Sequence, residues 1–258
     1  MGEPGMQNHF TTINRWLPAL ASLVFCAGAQ AAATPSLLSQ QDTAQLSSWL
    51  GEGPLALTPI YTKAAGDTSL DFHAAADGKG RTFSVMEASN TAGQTWLVGG
   101  YNPQSWNASA GLHVTMADSE RTAFLFNLTS GLMLPQLKQY FSGDSTGSGQ
   151  TYNDSDFGPT FGIGHDLYVP RDLTSGGYSY LYTYSPAGQP SSGLSLVDGS
   201  ANASALTFGA LQVYSISAVP EPATFGMLLA GLVLLGGLHA RKRGALADPS
   251  SPGTFSAI

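Results

Sequence analysis

Two adjacent residues, His165 and Asp166, carry side chains that can exchange protons or ligate a metal ion, and His73 and His113 could add further ligands. Adjacent side chains on a strand point to opposite faces of the sheet, so His165 and Asp166 do not converge if this segment is extended. The histidines also lack the H-x-H or H-x3-H spacing of a metal site. The pattern therefore favours structural roles and predicts no metal site and no cofactor.

An enzyme remains the alternative, with a site near His73, Asp77, His165 and Asp166. Serine, histidine and aspartate are abundant, but the chain has no G-x-S-x-G nucleophile elbow. The glycine-rich segment 158–164 lacks the Gly-Lys-Ser/Thr of a phosphate-binding loop. Its glycines are expected to permit tight turns and close backbone packing instead.

Aromatic side chains offer the best ligand candidates. Tyr178, Tyr180, Tyr182 and Tyr184 alternate at a period of two, which predicts one tyrosine-bearing face on a strand. Such a tyrosine row can stack on sugar rings or on the side chains of a partner protein. The same pattern also fits a tyrosine-lined core face, and the sequence leaves both interpretations open.

These side chains must be positioned by a sheet-dominated domain. Period-two alternation and turn residues predict an antiparallel α+β domain with one or two flanking helices. The helices are expected at 37–50 and 68–76, with Gly51 ending the first and Asp67 or Thr68 capping the second. Strands are expected at 55–62, 81–88, 95–101, 122–128, 167–169, 178–184 and 206–216, and a polar loop is expected at 142–157.

Composition narrows the class of protein. Only 10% of the 258 residues are charged, and the formal net charge is -7. An acidic chain lacks the clustered positive surface that nucleic acid requires, so no nucleic-acid partner is predicted. The single cysteine, Cys26, lies in an apolar N-terminal segment. Disulfide bonds and thiol chemistry are therefore not expected in the mature domain.

The N-terminus has the pattern of a secretory signal peptide. Arg15 precedes the short apolar stretch 16–28, and Ala29 and Ala31 form an A-x-A cleavage site. Residues 1–33 are therefore predicted to be removed by signal peptidase. The translation start, at Met1 or Met6, is left open.

The C-terminus has a second export feature. Val219, Pro220, Glu221 and Pro222 precede the uncharged segment 223–240, which at about 1.5 Å per residue is about 27 Å long as a helix. Three basic residues follow, and they are expected to stay in the cytoplasm. These residues are Arg241, Lys242 and Arg243.

This tail resembles the PEP-CTERM sorting signal, in which a Val-Pro-Glu-Pro motif precedes a membrane helix and an Arg-rich end. The resemblance implies recognition by exosortase. It also implies an inner-membrane anchor with the domain outside the cytoplasm, and cell-surface or extracellular release after processing. The signal is assigned to residues 218–243, and residues 244–258 form a short extra tail.

The middle of the chain, residues 34–217, resembles TLDc domains. The resemblance rests on five segments in order, DFHAAADGKGRTF, VGGY with a following SW, AFLFNL, GPTFGIGHDLY and LQVY; they occupy residues 71–83, 98–106, 123–128, 158–168 and 211–214. It implies a β-sandwich-like fold with flanking helices and no established catalytic residues. Ala76 stands where the family commonly has cysteine.

Together these features predict an exported protein with a binding domain. The sorting signal implies a link to exopolysaccharide and biofilm, and the TLDc resemblance implies a link to envelope stress. The expected partners are signal peptidase and exosortase during processing, the membrane, and a polysaccharide or an envelope protein. An extracytoplasmic enzyme or a protein that protects against oxidative stress is the alternative.

Overall fold

The computed structural model describes residues 1–2, 35–138, 146–201, 203–219, 231–233 and 235. All the elements below belong to the unit Pro35–Ile258. The elements, in chain order, are α1 Gln40–Leu50, β1 Leu55–Thr62, α2 Ser69–Ala76, β2 Thr82–Asn90, β3 Thr95–Asn102, β4 Gly111–Val114, β5 Phe124–Asn127, β6 Leu132–Pro135, β7 Gly149–Asn153, β8 Thr160–Phe161, β9 Leu167–Tyr168, β10 Ser175–Ser179 and β11 Ser204–Ala218.

Both helices begin at capping boxes. The Ser39 hydroxyl accepts a hydrogen bond from the Asp42 N–H at 3.1 Å, and the Asp42 carboxylate accepts one from the Ser39 N–H at 2.9 Å. Helix α1 ends at Gly51, whose φ of 74° is the left-handed conformation of a C-cap. Thr68 and Asp71 form the capping box of α2, so of the two predicted N-caps, Asp67 and Thr68, the structure has Thr68.

The strands form one hydrogen-bonded sheet in the order β4-β7-β8-β9-β10-β11-β2-β3-β5-β6, and β1 pairs with β11. Every strand pair among these is antiparallel. The prediction of a mostly antiparallel sheet with few helices is confirmed, and the arrangement is consistent with a β-sandwich-like α+β fold.

Hydrophobic side chains cover both faces of the central strands. On β2, Phe83 and Val85 belong to one buried cluster, whereas Met86 and Ala88 belong to the other. Helix α1 covers the first cluster with Leu46. The second cluster contains residues of α2 and of β8 and β9, so this part of the sheet lies against the central strands. Alternation on the strands thus gives two apolar layers.

Two sequence-based predictions about the sheet are wrong. The segment 142–157 was expected to be a loop, but it contains β7, which pairs with both β4 and β8. The strand expected at 178–184 is β10 and ends at Ser179. Strands β4, β6 and β8 were not predicted at all.

The last strand leads directly into the C-terminal segment. Ala218 is the register partner of Leu55, and the Val219 N–H donates to the Pro54 carbonyl oxygen at 3.3 Å. The ordered pairing of β11 with β1 therefore extends to the first residue of the Val-Pro-Glu-Pro motif.

Several predicted segments lie outside the described residues. These are the signal peptide apart from residues 1–2, most of the predicted span 223–240, the basic cluster 241–243 and the tail 244–258. Within the part of the chain that the structure describes, no helix has both the length and the apolar character needed to cross a membrane.

Candidate functional site

The imidazole of His165 lies among four aromatic rings. Its ring centroid is 4.8 Å from that of Tyr152, 5.2 Å from those of Phe157 and Tyr168, and 6.2 Å from that of Tyr178. Tyr168 and Tyr178 contact each other at 5.1 Å. All five side chains are partly exposed. We call these five residues the aromatic cluster.

Neighbouring strands bring the cluster together. Tyr178 of β10 is the register partner of Tyr168 of β9, which places the two phenol rings side by side. Tyr152 comes from β7, and Phe157 from the turn after it, where the Phe157 N–H donates to the Asp154 carbonyl oxygen at 3.0 Å. The incorrect loop prediction over β7 is why sequence reasoning missed Tyr152. Phe157 does lie in a turn, and nothing local in the sequence signals its contact with His165.

A tight turn presents His165 to the cluster. Its φ is 66°, in the left-handed region that few non-glycine residues adopt, and Gly162 and Gly164 both have a φ of 85°. A Cβ added at Gly162 would overlap the Asp166 carboxylate. The glycines of segment 158–164 therefore serve a tight turn and close packing, as expected.

His165 and Asp166 diverge, but the reason differs from the one predicted. They lie in the turn before β9 rather than on a strand. His165 reaches the partly exposed cluster, whereas Asp166 is fully buried. The pair therefore does not form a shared acid–base or metal site.

Asp166 organises the segment after β10. Its Oδ2 accepts hydrogen bonds from the backbone N–H groups of Tyr182, Thr183 and Tyr184 at 2.7, 2.7 and 2.8 Å. Burial raises the pKa of Asp166 to about 7, and these N–H groups oppose that rise because they stabilise the carboxylate. The Asp166 carboxylate thus accepts the N–H groups that a neighbouring strand would otherwise bond, and β10 ends at Ser179, before residues 182–184.

The predicted tyrosine row does not form, because its strand ends at Ser179. Tyr178 joins the aromatic cluster, and Tyr180 and Tyr182 are exposed by 40% and 43%. Tyr184 is fully buried, and its hydroxyl donates to the Gln150 carbonyl oxygen at 2.6 Å. The prediction that all four share one strand face is wrong. Tyr178 alone contributes to the cluster.

The aromatic cluster carries no net charge near neutral pH. Burial lowers the pKa of His165, which favours the neutral imidazole. Burial, followed by nearby negative charge, raises the pKa of Tyr168, and burial also raises that of Tyr178, so both phenols keep their protons. Asp156, the residue before Phe157, forms an exposed ion pair in which Arg171 Nη1 lies 2.6 Å from Asp156 Oδ1.

His73 and Asp77 form a separate pair at the end of α2. His73 Nδ1 lies 2.7 Å from Asp77 Oδ1, and His73 Nε2 lies 3.0 and 3.1 Å from the carbonyl oxygens of Asp154 and Phe157. Both ring nitrogens therefore face oxygen atoms of the protein. His73 is buried and has no free nitrogen for taking a proton from a substrate, which suits a positioning role.

The two histidine–aspartate candidates occupy different places, and neither forms a metal centre with other ligands. Among the described residues, no group of three or more His, Cys, Asp or Glu side chains could hold a metal ion. The sorting-motif residues Pro220, Glu221 and Pro222 lie outside the described residues, as do the cleavage-site residues Ala29 and Ala31.

Comparison with known protein families finds the PEP-CTERM protein-sorting motif at residues 218–243. No curated protein matches the chain. The match covers the segment that begins at the end of β11. The chain is thus similar, over its C-terminal segment, to exported proteins that exosortase processes and that carry a C-terminal membrane-anchoring sorting signal.

Proposed function

We propose that residues 34–217 form a non-catalytic, TLDc-like binding domain that contacts a polysaccharide outside the cell through the aromatic cluster. The observation that carries this proposal is the cluster itself, in which four aromatic rings surround one imidazole and all five remain partly exposed. Partly exposed aromatic side chains combine apolar area with polar groups, which suits binding surfaces.

The chemistry of the cluster favours a neutral sugar polymer. The faces of tyrosine and phenylalanine rings offer apolar area for the C–H groups of sugar rings. The protonated phenol of Tyr168 can donate a hydrogen bond to a hydroxyl oxygen, whereas the Tyr178 hydroxyl donates to the Gly164 carbonyl oxygen at 3.4 Å. Because the cluster is uncharged, it offers no electrostatic advantage to a strongly anionic or cationic partner.

The topology supports outward presentation of the cluster. Tyr178 pairs with Ala205 near the start of β11, whereas Ala218 ends the same strand beside the sorting motif. At about 3.3 Å per residue, these two ends of β11 are about 40 Å apart along the strand. If residues 223–240 anchor the precursor in the inner membrane, the cluster lies at the end of the sheet away from the bilayer.

The TLDc-like character of the domain has support in its core. Phe72, Trp106 and Phe161 come from three different segments that carry the resemblance. Their rings meet edge to face, with centroids 5.3 Å apart for Phe72 and Trp106 and 5.5 Å apart for Trp106 and Phe161. Segments distant in sequence therefore build one core, as expected of a fold-defining pattern.

Retention on polysaccharide tests the binding proposal. The full-length protein, purified in detergent, is applied to immobilised exopolysaccharide from the producing cell. We expect retention of the wild type, and loss of retention for the double variant Tyr168→Ala/Tyr178→Ala. Tyr182→Ala is the matched control, because Tyr182 is exposed and lies outside the cluster.

Two results would contradict the binding proposal. One is an absence of retention on the polysaccharide, and the other is equal retention of wild type and double variant.

Retention on an envelope protein alone would favour the envelope-stress alternative. Loss of a stress phenotype in Asp77→Asn, with an intact fold, would favour an enzyme or another chemical function near His73 and Asp77.

A separate measurement tests processing. We propose that signal peptidase removes residues 1–33, and that exosortase acts at the sorting motif before surface release. Intact-mass analysis of fractionated cells, with and without exosortase, should give a membrane-bound precursor without the enzyme and a shorter, surface or extracellular form with it. One mass in both strains would show that exosortase does not process the chain.

A further inference from the structure

A second concave site lies beside Asp77, on a different part of the domain from the aromatic cluster. It is a cavity of about 400 Å³. Its lining includes the polar residues Asp77, Gln104, Asn107, His113 and Asn153. We call it the Asp77 cavity.

Pairing of β4 with β7 builds one wall of the cavity. Gly111 is the register partner of Asn153, and His113 is the partner of Thr151. Alternation places His113 and Asn153 on the same side of this strand pair. A Cβ added at Gly111 would meet no atom within 4 Å, so the missing side chain leaves open space opposite Asn153.

Asp77 is held in a fixed orientation on the opposite wall. Its Oδ1 faces His73 Nδ1 at 2.7 Å, and its Oδ2 accepts a hydrogen bond from the Ala108 N–H at 2.8 Å. Each carboxylate oxygen can accept a further hydrogen bond.

The remaining lining groups are neutral. Burial lowers the pKa of His113, although Glu120 opposes this shift, so His113 is an uncharged imidazole near neutral pH. Gln104 and Asn107 are exposed amides that can both donate and accept hydrogen bonds. The lining contains no Lys or Arg side chain, so the cavity offers no fixed positive charge to an anionic ligand.

Asn153 supplies an independent indication of a ligand. Its side chain is only 3% exposed, and its Oδ1 has no hydrogen-bond partner among the residues that the structure describes. Buried acceptors in folded proteins are usually paired, and an unpaired one calls for a missing donor. A hydroxyl group bound in the cavity is one such donor.

We propose that the Asp77 cavity binds a small, neutral, hydroxyl-rich molecule of the sugar or polyol class. Hydroxyl groups can donate to Asp77 and Asn153 and can also accept from Gln104 and Asn107. A molecule with many hydroxyls satisfies this mixed set, whereas an anionic ligand would meet the Asp77 carboxylate and find no Lys or Arg side chain in the lining.

This site is distinct from the one assigned to the polysaccharide. Tyr152 and Asn153 are consecutive residues of β7, so their side chains point to opposite faces of the strand. Tyr152 joins the aromatic cluster and Asn153 lines the Asp77 cavity. Either site can therefore be removed without removing the other.

Titration calorimetry on the full-length protein in detergent tests the proposal, with glucose, N-acetylglucosamine, glycerol and glucuronate as probes. We expect at least one neutral probe to bind. Asn153→Leu should weaken it about five- to tenfold, the effect of losing one hydrogen bond. Ala110→Trp should abolish binding, because Ala110 lines the cavity yet is exposed, so a bulky side chain there can fill the cavity without disturbing the core.

Tyr182→Ala is the matched control and should bind the small probe as the wild type does, because Tyr182 is exposed and belongs to neither site. If Tyr168→Ala/Tyr178→Ala loses a neutral probe while Ala110→Trp keeps it, the small molecule binds the aromatic cluster and the cavity proposal is overturned. Absence of binding by every neutral probe, or tighter binding of glucuronate than of any neutral probe, would also overturn it. None of these results depends on whether the polysaccharide is retained.

Discussion

Asp166 accepts a hydrogen bond from the backbone N–H of Tyr184 at 2.8 Å, across 18 residues of chain. The same carboxylate oxygen accepts the N–H groups of Tyr182 and Thr183. These three bonds hold residues 182–184 against the core, where Tyr184 is fully buried. His165 directly precedes Asp166, so the same hydrogen bonds also fix the turn that presents His165 to the aromatic cluster.

The burial of Asp166 predicts a stability that depends on pH. Its pKa is raised from 3.8 to about 7, so between these values the folded state holds a proton that the unfolded state has released. The free energy of unfolding must therefore fall as pH rises through this window, by up to about 4 kcal/mol. Urea unfolding of the wild type and of Asp166→Asn, from about pH 4 to about pH 8, gives the free energy of unfolding of each protein at each pH. The change with pH in the difference between the two proteins measures the contribution of Asp166.

Comparison with Asp166→Asn is needed because other groups act in the opposite direction. The pKa values of His113 and His165 are lowered by burial, so their contribution to stability increases as pH rises. Both proteins contain these histidines, and their effect cancels in the difference. Parallel profiles for the two proteins would contradict the assignment.

Much of the fold could be predicted where the local pattern and the final environment agree. Strand β1 was predicted with its observed bounds, and α2 differs from its prediction by one residue at its start. In these segments alternation or capping residues alone specify the element. Strands β4, β6 and β8 are four residues long or shorter, and such short segments carry too little periodicity to identify.

The candidate site was less predictable because long-range contacts decide it. The tyrosine alternation at 178–184 predicts a strand, but Asp166 takes three of the backbone N–H groups. Tyr152 lies in a Gly-, Ser- and Asp-rich stretch that predicts a loop, yet pairing with two other strands makes it β7. Local propensity reveals neither the Asp166 acceptor nor the two strands that pair with β7.

The close approach of β3 to β8 makes Gly100 sensitive to substitution. A Cβ there would lie 2.5 Å from Cζ of Phe161, a fully buried ring. Gly100→Ala should therefore destabilise the domain by about 1–3 kcal/mol through overpacking. Chemical denaturation measures the loss.

Gly209→Ala is the matched control for Gly100→Ala. Its Cβ would first meet the carboxylate end of Glu87, a side chain that can move, and Gly209 is exposed. The expected change is within about 0.5 kcal/mol. Equal effects of the two substitutions would show that steric overlap is not the cause.

A buried hydrogen bond between Trp106 and Thr82 also contributes to stability. Trp106 Nε1 donates to Thr82 Oγ1 at 2.9 Å, and both residues are fully buried. Thr82→Val keeps the side-chain shape but leaves the indole N–H without its acceptor, which should cost about 1–3 kcal/mol. Thr82→Ser keeps the hydroxyl and should cost less. A larger loss for serine than for valine in thermal or urea unfolding would refute this role.

The left-handed backbone at His165 allows its ring and its conformational strain to be separated. At a φ of 66°, a non-glycine residue costs roughly 1–2 kcal/mol relative to glycine. His165→Gly and His165→Ala both remove the imidazole from the cluster, but only glycine relieves the backbone. His165→Gly should therefore be more stable than His165→Ala by about 1 kcal/mol in urea unfolding. Both variants should lose polysaccharide retention equally, because the surface depends on the ring. If His165→Gly instead kept full retention, the imidazole would not belong to the binding surface, and the turn would serve only to bring Asp166 into the core.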